Sequence, residues 1–159
     1  MPQADAANSE RGRRTGPPRV RTWSAVLIGL TAPRAQTILF LPKLEMFGGE
    51  APDAWLAPWV SDAVLGLLVP VALVVLFRLR GPRAWGALLI YNAVGAFDYS
   101  HGLLAQYTDP LPESIASGAL VYGGIAFGMT VQLAALVLLL RRDVLQHFLA
   151  RRRVGPLGS

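Results

Sequence analysis

The chain has 159 residues, of which 53% are hydrophobic and 16% charged, against roughly 25% charged in an average soluble domain. A mean hydropathy of +0.41 excludes disorder over most of its length and argues against an ordinary water-soluble domain. The net charge is +5 and there is no cysteine, which removes disulfides, thiolate metal sites, iron–sulfur clusters and a cysteine nucleophile.

Residues 1–22 are polar and rich in Arg, Gly and Pro, with no apolar core of their own, so a disordered basic tail is expected there. From residue 23 onward four apolar stretches are each about 20 residues long, the length of helix that crosses a hydrocarbon layer about 30 Å thick. The first, 23–41, is interrupted by Pro33 and Arg34, and its apolar character resumes at Leu44, Met46 and Phe47. The second, 57–77 (APWVSDAVLGLLVPVALVVLF), and the fourth, 118–140 (GALVYGGIAFGMTVQLAALVLLL), are the cleanest. The third, 84–104 (AWGALLIYNAVGAFDYSHGLL), carries Asn92, Asp98 and His101 but is too apolar elsewhere to offer water a polar face. Residues 141–159 form a basic tail in which Val144, Leu145, Phe148 and Leu149 share one side of an amphipathic helix expected on the membrane surface.

Charge gives an independent test, because cytoplasmic flanks of membrane helices collect Lys and Arg. Thirteen of the 15 basic residues fall before the first stretch, between the second and third, or after the fourth. The two remaining connections hold only Lys43 as a base, against Glu45, Glu50, Asp53, Asp109 and Glu113. The expectation is an all-α membrane protein with four transmembrane helices in an antiparallel bundle and both termini cytoplasmic. A nucleic-acid surface explains the arginines less well, since they sit at the ends of apolar stretches and are not interleaved with stacking aromatics. Lipid is therefore the expected partner, together with a membrane protein or a second copy, and no nucleic acid is expected.

Within lipid, close approach through small residues and shared polar contacts holds helices together. Gly124 and Gly128 form a GxxxG pair, for which Gly95 and Gly66 are candidate counterparts, and Pro70 predicts a kink that leaves the Gly66 carbonyl without its usual donor. Ionisable groups at membrane depth cost about 2.5 to 3.5 kcal/mol each, which singles out Arg34, Asp62 and Asp98. Asn92, Gly95, Asp98 and His101 recur every three residues along one drifting arc of the third helix. Asp98 with His101 could relay protons as a carboxylate–imidazole pair; the preferred reading is an interhelical clamp in which Asp98 bonds to Arg34, Tyr122 or Gln132 and His101 reaches the outer interface. Asp62 is expected near the start of its helix, with Pro58 in the first turn. The expected polar cluster is thus Asp62, Asn92, Asp98, His101 and Arg34.

No catalytic set, metal site or cofactor is expected. The chain has two histidines, with only His101 at membrane depth, too few for bis-histidine haem ligation or a protein-only zinc site, and it lacks the GxxxxGK[ST], HExxH and GxSxG motifs.

The strings APWVSDAVLGLLVP and YNAVGAFD resemble a family of uncharacterised small bacterial four-helix membrane proteins. In that family the second helix opens with a proline-rich turn and a Gly-Asp pair that lead to a small-residue, proline-containing stretch, and the third carries N-x-x-G-x-x-D. Pro58, Asp62, Gly66 and Pro70 match the first pattern and Asn92, Gly95 and Asp98 the second, while Ser61 replaces the glycine. The resemblance implies a bacterial cytoplasmic membrane and a shared site for Asp62, Asn92 and Asp98, and it brings no activity. Function is expected to be that of a structural or accessory subunit of a membrane assembly. The alternatives are a small carrier or proton-coupled binder using the Asp/His pair, and a membrane enzyme.

Overall fold

The computed structural model describes residues 19–149, and within them every regular element is helical. The expectations for residues 1–18 and 150–159, including the disordered tail and the last arginines, lie outside the described residues.

The first apolar stretch is not one helix. α1 (Arg19–Gly29) stops where Pro33 withholds a backbone donor, and the chain tightens into a 3-10 helix over Ala32–Leu39. A second short 3-10 turn (Leu41–Lys43) and α2 (Leu44–Phe47) follow, at 45° to the preceding run. The second stretch begins earlier than expected, at Asp53, so Pro58 lies inside α3 (Asp53–Leu67) and does not open it. That corrects the reading of Asp62 as an acid near the helix start: it stands nine residues in. A break at Leu68 separates α3 from α4 (Val69–Arg78), as the lost Pro70 donor requires, and the Tyr91 hydroxyl donates to the Leu65 carbonyl just ahead of the break at 3.1 Å.

Gly81, with φ +103° and Pro82 after it, opens the long α5 (Pro82–Thr108). α6 (Gly118–Leu139) is capped by Ser117, whose hydroxyl accepts from Leu120 N–H at 3.4 Å. α7 (Arg142–Leu149) turns back and buries Val144 and Phe148 against the other helices, and Phe148 O accepts from Gly81 N–H at 2.9 Å. Its apolar side therefore docks on protein.

Side-chain bonds fix the relative directions of three helices. Trp55 Nε1 donates to Asp109 O at 2.8 Å while Tyr91 reaches Leu65, so α3 and α5 run antiparallel. Tyr122 donates to Gln106 O at 3.2 Å and Trp85 Nε1 to Leu139 O at 2.9 Å, so α5 and α6 do likewise.

Two stretches, Asp53–Arg78 and Gly118–Leu139, are long and apolar enough to cross a membrane, and a third is if the bent pair Arg19–Leu39 and Leu41–Phe47 counts as one. Outside the apolar clusters, burial runs opposite to that of a soluble protein. Arg34, Asn92, Asp98 and Gln132 are buried, while Ile90, Phe97, Leu120 and Val137 are exposed. Two apolar clusters stand apart: one joins Ile28, Val69, Leu76, Leu88, Leu139 and Phe148, and the other joins Trp55, Trp59 and Ala105. The consecutive helices α3 and α4 taken together, α5 and the segment from α1 to α2 each pass from one cluster to the other, and the buried charges lie between.

Candidate functional site

Arg34 is the centre of that intermediate layer. The 3-10 turn that Pro33 imposes holds it, with Arg34 N–H bonded to Thr31 O at 3.1 Å. The turn is pinned to α3 by the Thr37 hydroxyl, 2.8 Å from Arg34 O and 3.0 Å from Trp59 O. Close approach is possible because Gly66 faces Ala35: a Cβ at 66 would stand 2.6 Å from Ala35 Cα.

The guanidinium bridges two helices. Nε donates to Asp62 Oδ1 of α3 at 2.5 Å, and Nη2 donates to Asp98 Oδ2 of α5. Its Cζ lies 4.2 Å from the centre of the Tyr99 ring, a cation–π contact that covers the face of the ion. The other carboxylate oxygen of Asp98 takes a hydrogen bond from Ser61 Oγ. Only Asp62 has appreciable exposure, 23% of its side chain against 4% for Arg34 and 7% for Asp98. One cation facing two anions leaves the layer at a formal charge of −1 when both acids are ionised. The forked geometry suits arginine and not lysine, whose single ammonium cannot address two carboxylates in fixed directions.

The antiparallel helices explain why the acids meet. Asp62 is nine residues from the start of α3 and Asp98 ten from the end of α5, so at about 1.5 Å per residue both lie roughly 14 Å from the same end.

The remaining expected members are placed differently. Asn92 is buried on the same helix, but its Nδ2 donates to Leu88 O at 2.8 Å and its Oδ1 has no partner. His101 is exposed and stacks edge-on with Phe97, ring centres 4.6 Å apart. Asp98 turns inward to Arg34 and Ser61, so the Asp98–His101 relay is not assembled. Three residues of helix rotate a side chain by about 300°, and the resulting 60° offset carries His101 out of the buried arc. Tyr122 and Gln132 do not bond to Asp98: Tyr122 donates to Gln106, and Gln132 has no hydrogen-bond partner for either amide atom.

Gln132 nonetheless belongs to the layer. A Cβ at Gly95 would lie 2.5 Å from its Nε2 and 3.1 Å from Arg34 Nη1, which is also without a partner. Gly95 thus gives Arg34 and Gln132 their space.

The glycines of α6 separate into two kinds. Gly128 packs under the Tyr99 ring, whereas Gly124 and its neighbour Gly123 face open space. The GxxxG pair is therefore not one internal seam, and neither Gly66 nor Gly95 meets it. Pro70 acts by ending α3, not by packing. Ser61, Tyr91, Tyr99 and Thr37 were not anticipated; for Ser61 the available signal was a small hydroxyl residue directly beside Asp62.

Among the described residues no group of three His, Cys, Asp or Glu side chains is arranged to hold a metal ion. No protein family, curated protein or solved structure matches the chain.

Proposed function

We propose that the chain is an integral protein of a bacterial cytoplasmic membrane that crosses it four times as an antiparallel bundle, both ends inside. Its role is that of a structural or accessory subunit in a membrane assembly. The observation that carries this reading is the inverted surface. On α5 the polar residues Asn92, Asp98 and Gln106 point inward while Ile90, Val94, Phe97 and Leu104 point outward. Its 27 residues reach about 40 Å, more than a hydrocarbon core requires. A helix with this arrangement loses little by facing lipid and much by facing water.

The subunit role rests on α6. Gly123 and Gly124 are open, beside exposed Leu120 and Phe127, so a second helix can approach the backbone closely there. Native mass spectrometry from mild detergent tests it. Gly124→Leu is expected to remove the partner or second copy while leaving thermal unfolding of the protein unchanged, and an assembly that survives the substitution rules the role out.

A second reading, a proton-coupled binder, is favoured by the partial exposure of Asp62 within a layer that holds one more acid than base. It runs through Asp62, Arg34 and Asp98 in place of an Asp/His pair. Asp62→Asn is then expected to abolish pH-dependent ligand binding or uptake in vesicles, and an unaltered pH profile removes this reading.

A further inference from the structure

A cavity of about 780 Å³ opens at the end of the protein near the Trp55–Trp59 cluster, between the Gly49–Ala51 turn, the end of α5 and the start of α6. That volume lies in the range of sites for small organic molecules. Its walls are tied together by three hydrogen bonds. Gln106 Oε1 accepts from Leu111 N–H at 3.2 Å, Tyr122 donates to Gln106 O, and Trp55 donates to Asp109 O. Gly49, with φ +77°, sits close to Pro110 and Pro112, an approach and a backbone conformation that a side chain would oppose.

Three carboxylates line the cavity, Glu50, Asp109 and Glu113, with no Lys or Arg among the lining residues. None of the three forms an ion pair among the described residues. They are not gathered tightly enough for a metal ion, so the charge they seek is spread over a larger body. Gln106 supplies an independent feature. The residue is only 2% exposed, yet it lines the cavity. Its amide NH2 has no hydrogen-bond partner among the described residues, and it is not among the sealed-off atoms. A simple polyamine leaves that donor unused; a ligand that also bears oxygen acceptors does not. Tyr107 and Tyr122 add aromatic surface suited to the C–H faces of a ring and to cations.

We propose that this cavity binds an amino sugar or a similar small polyol bearing several ammonium groups. The ammonium groups face Glu50, Asp109 and Glu113, and an oxygen of the frame accepts from Gln106.

Isothermal titration of the full chain in detergent, at fixed ionic strength, with kanamycin and with spermine, which matches its four amines but bears no oxygen, decides it. Kanamycin is expected to bind saturably at one site, about three- to tenfold tighter than spermine, the yield of one added hydrogen bond. Glu50→Gln and Glu113→Gln are each expected to weaken kanamycin about two- to fivefold, as exposed ion pairs do, and Gln106→Met is expected to erase its advantage over spermine. Both glutamates are surface residues, so their substitution leaves folding intact, and a thermal scan of the Gln106 variant checks that its Leu111 bond was dispensable. No saturable binding, equal affinity for the two probes, or kanamycin binding unchanged in the two glutamate variants would each overturn the proposal.

Discussion

The two ends of the bundle in which α5 lies against α3 and α4 are held by different means. At one end ten buried apolar residues from α1, α4, α5, α6 and α7 form a continuous cluster, closed by Val144 and Phe148. At the other, three buried residues, Trp55, Trp59 and Ala105, carry the apolar packing, and hydrogen bonds to backbone carbonyls do the rest around an open cavity. Between them the Arg34 layer joins α3 to α5 by charge. The contrast teaches where each force is useful. In lipid, burial between helices brings no hydrophobic gain, so close packing and polar links must provide cohesion. The cluster that includes α7 reaches the basic end of the chain and can also draw on the expulsion of water.

The ionic layer is the place to break this arrangement most severely. Arg34→Ala leaves two inward carboxylates without their cation and is expected to cost about 3–5 kcal/mol, read as a large drop in thermal midpoint in detergent. Arg34→Lys is expected to recover only part of that, because it keeps the charge and loses the fork. At the well-packed end, Phe148→Ala is expected to cost about 3 kcal/mol, with faster proteolysis of the C-terminal helix as an independent readout. Gly66→Val, which places a side chain against Ala35 of the 3-10 turn, is expected to cost about 2 kcal/mol by forcing the turn away from α3. The smallest effect is expected for His101→Ala: within about 0.5 kcal/mol, since its ring contact is with Phe97, itself an exposed side chain. A loss comparable to that of Arg34→Ala would restore His101 to the cluster.

These positions also show how much could be read before the structure was in hand. The helices were legible because apolar runs of 20 residues bounded by arginines are strong signals, and Arg34 and Asp98 stood out because charges are rare at such depth. Whether Arg34 points inward depended on the start of the first helix, which local sequence leaves ambiguous around Pro33. Asp62 was grouped correctly with Arg34 and Asp98, but its place along the helix was misread because Pro58 is at home in a first helical turn, and nothing nearby shows that the helix begins five residues earlier. His101 was grouped with Asp98 by a spacing of three, but the same spacing drifts around the helix and the last member leaves the buried side. Gly124 and Gly128 look equivalent in sequence; only the position of Tyr99, on another helix, distinguishes the packed one from the open one.

Thiol labelling in intact and permeabilised cells tests the central claim most directly, and the absence of native cysteine makes each introduced one unambiguous. With single cysteines at Glu50, Arg80, Glu113 and Arg142, a membrane-impermeant maleimide is expected to label Glu50→Cys and Glu113→Cys in intact cells. Arg80→Cys and Arg142→Cys should react only after permeabilisation. Labelling of Arg80→Cys together with Glu50→Cys from the same side of an intact membrane would contradict the account.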